Sequence, residues 1–410
     1  MDTTILLHWA EFAVRWLHVI TAISWIGSSF YFIALDLGLR REPRPASGAD
    51  GEEWQVHGGG FYHIQKYMVA PEAMPEHLTW FKWESYATWL SGAALLILLY
   101  WVGAELFLID WTVMELAPWQ AIVISALSLT LGWVAYDLLC KSRLGENPTL
   151  LMLLLFGIIV VLAWGYTQVF SGRAALLHLG ALTATIMTAN VAMIIIPNQK
   201  IVVADLKAGR TPDPKYGKIA KLRSTHNNYL TLPVIFLMLS NHYPLAFASE
   251  WNWLIASLVF LMGVTIRHFF NTMHARGGYL WWTWGATAAI FAVIVWLSVL
   301  PLMSDDPVEE AALSPAQAAF AAHPDFADVA DIIYSRCSMC HAEEVYWPGI
   351  PVAPRGVMLD TDSRIARQAR SIYLQAGVSH AMPPNNLSMI DDAERAAIRA
   401  WYRGVTGGAL

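Results

Sequence analysis

Three residues near the C-terminus have the types and spacing needed to hold a metal cofactor. Cys337, Cys340 and His341 form a Cys-x-x-Cys-His sequence and use two of the three cysteines in the chain. In c-type haem attachment, the two thiols join the porphyrin and the adjacent imidazole ligates the iron. A redox dithiol or half of a zinc site is the alternative, but neither a second Cys pair nor a strand–helix alternation accompanies the motif. The motif therefore predicts one covalent haem c.

The second axial ligand of such a haem should come from a downstream loop. The stretch HAMPPNN at 380–386 supplies Met382, and two prolines follow it that would stiffen the loop. Met358 and Met389 are interpreted as packing residues. A final amphipathic helix at 391–403 should pack on the helix that precedes the cysteines. Residues 325–404 thus resemble a class I cytochrome c.

The composition of the rest of the chain indicates a lipid bilayer. Hydrophobic residues make up 56% of the 410 residues and charged residues 14%, and a net charge of −6 argues against nucleic acid as a partner. A helical span needs about 20 mostly apolar residues. Eight candidates meet that requirement, at 10–35, 80–103, 118–140, 149–170, 175–197, 228–246, 251–274 and 280–303. The predicted fold is all-α, an eight-helix transmembrane bundle followed by a small cytochrome c domain.

The connecting segments predict domains and orientation. Lys and Arg concentrate in alternate loops, which places those loops in the cytoplasm and both termini in a bacterial periplasm. Haem c is attached outside the cytoplasm in bacteria, so the motif and the charge pattern place the C-terminus on the same side of the membrane. We expect a membrane domain at 1–303, an acidic and Pro-containing linker at 304–314 and a cytochrome domain at 315–410, in the inner membrane of a bacterium.

Polar residues inside spans mark candidate functional positions. Arg267, Asn271 and His274 are spaced to share one helix face. In the predicted orientation His18, His178 and His242 fall in the outer leaflet, and for each a hydrogen bond to a neighbouring helix is the alternative interpretation. We hypothesise that two of these three hold a b-type haem, because chemistry at the inner face would otherwise lie ~30 Å from haem c.

The chain as a whole resembles the bacterial membrane-bound cytochrome c urate oxidases, also called urate hydroxylases. The resemblance lies in WLHVITAISWIGSSFYFIALD at 16–36, GGGFYHIQKYMVAPEAMPEHLTWFKWESYATWLSG at 58–92, STHNNYLTLPVIFLMLSNHYP at 224–244, RHFFNTMHARGG at 267–278 and the Cys-x-x-Cys-His tail. It covers nearly the whole chain. The tail is specific for haem, whereas the substrate is implied by the membrane part alone. The triple glycine at 58–60 lacks the Lys and Ser or Thr of a phosphate-binding loop, so we expect a flexible loop there.

The resemblance implies oxidation of urate to 5-hydroxyisourate, with water as the oxygen source, no hydrogen peroxide, and electrons passing through haem c to a soluble cytochrome c or a terminal oxidase. Such a site needs a base, donors for the anion and an aromatic surface. The expected residues are His226 as base, Asn227 and Asn228 as amide partners, Arg267 and Lys82 as cations, Trp80 or Phe61 as stacking surface, and Glu84 as second proton acceptor. The alternative interpretation of the HNNY stretch is that its Asn residues cap the start of a helix and have no catalytic role.

Two other functions fit the same sequence features. A quinol or other membrane dehydrogenase would share the cytochrome tail but use a lipid-soluble donor. A transporter or redox sensor would show no turnover, although no inverted repeat is evident.

Overall fold

The computed structural model describes residues 3–42, 45, 49–67, 74–111, 113–300, 312–350 and 352–407. Most of the predicted linker, at 304–311, and the end of the eighth predicted span, at 301–303, lie outside the described residues.

Within these described ranges, ten helices and one hairpin precede the predicted linker. They are α1 Thr3–Gly38, β1 Gly51–His57, β2 Gly60–Lys66, α2 Trp83–Leu96, α3 Pro118–Lys141, α4 Pro148–Thr167, α5 Gly172–Ala189, α6 Ile196–Lys207, α7 Pro214–Ser240, α8 Pro244–Phe247, α9 Asn252–His274 and α10 Trp282–Val299. Wider π-helical turns continue α2 and connect α5 to α6 without a break. The molecule is therefore mostly helical, as predicted.

Six of these described helices are long and apolar enough to cross a membrane, with α5 and α6 counted as one: α1, α3, α4, α5–α6, α9 and α10. The predicted spans at 80–103 and 228–246 are not among the six. The first is divided between the short α2 and its π-helical continuation, and the second falls within α7, whose first half is polar. Leu131 on α3 and Leu153 on α4 are 59% and 65% exposed, as expected of side chains that face lipid.

The chain is not all-α, because β1 and β2 form an antiparallel hairpin in which Gly51 pairs with Lys66 and His57 with Gly60. Gly58 and Gly59 have φ of 58° and 81°, which glycine adopts without the steric cost of a side chain. The triple glycine is therefore the turn of a hairpin, and our prediction of a flexible loop there is wrong.

The core of the bundle surrounds α5, in which Leu176, His178 and Leu179 are almost fully buried. Helices α7 and α9 approach each other closely at Gly263, where an added Cβ would lie 2.6 Å from Cδ of Pro233. This contact places the first half of α7 against the second half of α9, which is where the buried polar residues lie.

The C-terminal unit has a hydrophobic core of its own, which includes Ile333, Ile398 and Trp401. Its helices are α11 Pro315–Ala321, α12 Phe326–Arg336, α13 Asp362–Arg367, α14 Ala369–Ile372 and α15 Asp392–Thr406. The predicted final helix at 391–403 is confirmed as α15, with an Asp391–Glu394 capping box at its start. The unit contacts the bundle through Arg370, whose guanidinium donates to the Glu11 carboxylate of α1 at 2.7 Å.

Candidate functional site

A network of buried polar side chains joins α3, α7 and the turn after α5. We call it the tyrosine cluster, and it consists of Tyr136, Asp137, Asn190, Arg223, His226 and Asn227. Arg223 is 2% exposed and donates to Asp137 Oδ1 at 2.6 Å and to Asn190 Oδ1 at 3.2 Å. The Asn190 amide in turn donates to Tyr136 at 2.9 Å and to Asn227 Oδ1 at 3.0 Å. A buried charge is costly unless it is paired, and this pairing satisfies Arg223 inside the bundle.

Tyr136 and His226 share a hydrogen bond within this cluster. The Tyr136 hydroxyl lies 2.8 Å from His226 Nδ1, and the Asn190 amide donates to the same phenol oxygen. The tautomer of the imidazole sets which of the two groups donates. Nε2 has no hydrogen-bond partner among the described residues, although the side chain is 4% exposed.

Tyr136 and His226 form part of the wall of a cavity of about 100 Å³ between α3, α4, α5, α7 and α9. The rest of the wall is almost entirely apolar, with side chains such as Leu155, Phe156 and Phe260. We refer to this space as the apolar cavity.

A second polar cluster lies on the opposite side of α7. We call it the arginine cluster, and it consists of Phe30 on α1, Asn228 on α7, and Arg267 and Asn271 on α9. Asn271 Oδ1 accepts from Asn228 at 3.1 Å and from Arg267 at 3.2 Å. The guanidinium carbon of Arg267 lies 4.4 Å from the centre of the Phe30 ring.

Two buried polar atoms of the arginine cluster have no hydrogen-bond partner among the described residues. They are Nε of Arg267 and Oδ1 of Asn228, on side chains that are 5% and 3% exposed. One turn beyond Asn271, the buried Nδ1 of His274 is likewise unpaired. Unsatisfied buried polar atoms are rare in native structures, and a donor beside an acceptor fits a bound ligand that carries both kinds of group.

The predicted catalytic residues divide between the two clusters. Arg267 and Asn228 both contact Asn271 in the arginine cluster, whereas His226 and Asn227 belong to the tyrosine cluster, where the Asn227 amide donates to Met187 O at 3.0 Å. The role of His226 as base stays a prediction.

The remaining predicted residues lie at the start of α2. Lys82 is the N-cap position of α2, Glu84 lies in its first turn, and Trp80 precedes the helix. Within the described part of the chain, no hydrogen bond or ion pair joins these side chains to Arg267 or His226. Phe61, the alternative stacking surface, is 77% exposed on the hairpin, whereas Phe30 stacks on Arg267.

Sequence reasoning missed Phe30, Tyr136, Asp137 and Arg223. Asp137 carried a usable signal, because a carboxylate inside a predicted span is expensive unless it is paired. Phe30 carried none, since one aromatic residue in an apolar span is unremarkable on its own.

The three histidines of the second-haem hypothesis have different surroundings. The His178 ring nitrogens contact Ser125 Oγ at 2.7 Å and Ala174 O at 2.8 Å, and those of His18 contact Thr88 O at 3.0 Å and Ser91 Oγ at 3.1 Å. His242 is exposed after the end of α7. Ligation of iron by His178 would require its present hydrogen bonds to break, and the b-type haem stays a hypothesis.

The C-terminal motif brings together donor atoms that could hold a c-type haem. Cys337 ends α12, and the backbone turns back so that Cys340 N donates to Cys337 O at 3.2 Å. The Nδ1 of His341 donates to Val357 O at 2.8 Å, which fixes the ring and leaves Nε2 as the ligating atom. These donor atoms therefore fit the cofactor.

Met382 packs against the same hydrophobic core as Cys337 and Val357. A buried arginine holds the loop, because Arg395, 2% exposed, donates to Ala376 O at 2.5 Å and to Met382 O at 3.1 Å. Met389, by contrast, is 74% exposed. Of these two methionines, Met382 is thus the one that the domain positions.

The surroundings of the thiols argue against a redox dithiol. Burial raises the pKa of Cys337 to about 12 and also raises the pKa of Cys340. Reactive Cys-x-x-Cys dithiols need a lowered pKa, since the thiolate is the nucleophile. Among the described residues there is also no cluster of three or more His, Cys, Asp or Glu side chains that could hold a metal ion.

Comparison with known protein families gives a match over most of the chain. A family model described as Urate oxidase N-terminal matches residues 4–298, which span nearly all of α1 to α10 and both polar clusters. No curated protein and no solved structure matches the chain.

Proposed function

The chain belongs to the urate oxidase N-terminal family, and from that premise we propose that the helical bundle oxidises urate to 5-hydroxyisourate at the arginine cluster. The half-reaction is urate + H₂O → 5-hydroxyisourate + 2 electrons + 2 H⁺. Water supplies the oxygen atom, so dioxygen is not consumed and hydrogen peroxide is not formed.

The observation that carries this proposal is the pair of unpaired buried atoms on Arg267 and Asn228. Urate is a planar anion with carbonyl oxygens and ring N–H groups along its edge. Arg267 Nε can donate to an oxygen of the anion, and Asn228 Oδ1 can accept from a ring N–H. Both bonds would form in a site shielded from water, where hydrogen bonds to charged groups are strongest.

The two protons need an acceptor near the ring. His274 fits this role, because its unpaired Nδ1 is buried and the residue follows Arg267 by seven positions, which places both on one face of α9. The hairpin lies at the same end of the bundle, since Gly38 at the end of α1 is close to both Glu53 and the His274 backbone. We propose that this end is cytoplasmic and that urate enters there.

We further propose that Cys337, Cys340, His341 and Met382 hold a haem c on the periplasmic side of a bacterial inner membrane. When bound, such a haem accepts one electron at a time at a potential raised by its thioether ligand. A soluble cytochrome c or a terminal oxidase is the proposed downstream partner. The Glu11–Arg370 pair supports this arrangement, because it holds the C-terminal unit on α1.

The test is an anaerobic absorption spectrum of the purified full-length protein before and after urate is added. Rapid reduction of the haem together with formation of 5-hydroxyisourate is the expected result. An oxidised spectrum that dithionite can still reduce would show that urate is not the donor. A spectrum without haem would instead refute the cofactor assignment.

A further inference from the structure

The apolar cavity is separate from the arginine cluster and plays no part in the proposed urate site. Its wall combines many aliphatic and aromatic side chains with four polar ones, Tyr136, Thr183, His226 and Tyr229. A volume of about 100 Å³ has room for several water molecules, yet each water needs two to four polar partners to be stable, and most of this wall is apolar. The cavity therefore has room for one ring of a largely apolar ligand.

His226 specifies what the ring should carry. Its side chain lines the cavity and is 4% exposed, and its Nδ1 lies 2.8 Å from the Tyr136 hydroxyl. Nε2 has no hydrogen-bond partner among the described residues. In the tautomer with its hydrogen on Nε2, a carbonyl oxygen on the ligand would accept that hydrogen.

The cavity also reaches the surface that faces lipid. Ile158 on α4 lines the cavity and is 41% exposed on a helix long and apolar enough to cross a membrane. Its neighbour Leu155 lines the cavity and is partly buried. A ligand with an apolar tail could thus enter from the bilayer between the helices, with its ring inside and its tail in lipid.

We propose that the apolar cavity binds a quinone of the membrane pool, with one ring carbonyl accepting the Nε2 hydrogen of His226. The inference rests in part on the proposed function, since the quinone would be an oxidant for urate. The balanced reaction is urate + H₂O + quinone → 5-hydroxyisourate + quinol, in which both electrons and both protons released by urate oxidation reduce the ring. A quinone accepts two electrons, whereas a single haem c accepts one, so a bound quinone resolves that mismatch.

The positions of the two sites favour this exchange. His226 and Asn228 are two residues apart on α7 and lie on opposite sides of it, so the cavity and the arginine cluster are separated by one helix, about 10 Å across. An electron donor and an electron acceptor would then be neighbours, one reached from water and the other from lipid.

The first experiment measures binding alone. Full-length protein in phosphatidylcholine nanodiscs is titrated with decyl-ubiquinone, and the quinone retained is compared with that in empty nanodiscs of the same lipid. We expect a saturable excess of about one quinone per chain. Leu155→Trp fills the cavity and should abolish this excess, whereas the matched control Leu153→Trp, on the lipid-facing side of the same helix, should retain it.

A second pair of variants tests the hydrogen bond without filling the cavity. His226→Phe removes the donor and should weaken binding by about tenfold, while His226→Gln keeps both a donor and an acceptor and should bind nearly as the natural protein does. Absence of a saturable excess, or equal binding by Leu155→Trp and Leu153→Trp, would overturn the proposal.

The second experiment adds urate to the quinone-loaded natural protein without oxygen. One quinol per 5-hydroxyisourate is expected. Saturable binding combined with no reaction of urate with either quinone or haem would refute the proposed function and leave the quinone site intact. Reduction of haem by urate without saturable quinone binding would refute the quinone site and leave the proposed function intact.

Discussion

His226 and Asn228 lie two residues apart on α7, yet their side chains contact different helices. The Tyr136 hydroxyl of α3 lies 2.8 Å from His226 Nδ1, whereas Asn228 donates to Asn271 of α9 at 3.1 Å. Residues two positions apart on a helix are about 200° apart around its axis, so α7 separates the two polar clusters. The HNNY stretch therefore contributes side chains to both clusters.

Replacing Arg267 tests the urate site. Arg267→Gln removes the cation but keeps a donor, and we expect urate-dependent haem reduction to become ten- to a hundredfold less efficient, since a hydrogen bond to a charged group contributes about 1.5–3 kcal/mol. Stopped-flow spectra at varied urate concentration provide the measurement. Arg276→Gln is the control, because Arg276 is exposed and donates to Gly38 O at 2.8 Å, outside the arginine cluster. Equal losses in both variants would contradict a specific role for Arg267.

The buried ion pair should dominate the stability of the tyrosine cluster. Arg223→Met leaves Asp137 with Lys141 as its remaining cation, and breaking a buried pair costs about 3–5 kcal/mol. Lys141→Met removes the other partner, whose side chain is 60% exposed, and should cost less than about 1 kcal/mol. Thermal unfolding in mild detergent compares the two. Similar midpoints for both variants would mean that the Arg223–Asp137 pair does not stabilise the bundle.

The two loop methionines should behave differently. In Met382→Ala the proposed haem should stay attached through Cys337 and Cys340, but loss of the thioether should lower its reduction potential and remove the charge-transfer band expected of Met-ligated ferric haem. Met389→Ala should change neither property, because Met389 is 74% exposed. Potentiometric titration and visible spectra of both variants would show which methionine is the ligand of the haem iron. An unchanged band in Met382→Ala would exclude Met382 as that ligand.

The contact between Glu11 and Arg370 should hold the C-terminal unit on α1. Their side chains are 10% and 20% exposed and 2.7 Å apart, so charge reversal by Glu11→Arg should separate them. Hydrogen exchange of the α13–α14 segment should then become faster. The double variant Glu11→Arg with Arg370→Glu restores the opposite charges and should restore protection. Unchanged exchange in the single variant would show that this pair does not hold the unit.

Local patterns predicted several features correctly. The apolar runs indicated helices able to cross a membrane, and six are confirmed by length and composition among the described residues. The i, i+4 spacing of Arg267 and Asn271 indicated a shared face, and their side chains are 3.2 Å apart. Such features need only residues close in the sequence, because the 3.6-residue period of a helix sets which side chains share a face.

The pairing of residues distant in the sequence could not be predicted in this way. Arg223 and Asp137 are 86 positions apart, and His226 and Tyr136 are 90 apart. Periodicity gives each helix its faces but not its neighbours or its rotation about its own axis, and these depend on side-chain packing such as that of Gly263 on Pro233. We therefore expected one site around His226 where the folded chain has two clusters.

The sequence alone determined the Cys-x-x-Cys-His motif, the apolar helices and the helix faces that carry polar groups, because each is encoded within a few turns of chain. Only the tertiary structure decided that Phe30 stacks on Arg267, that Tyr136 orients His226, and that α7 separates a polar cluster from an apolar cavity. Those relationships depend on how helices far apart in the sequence pack against one another.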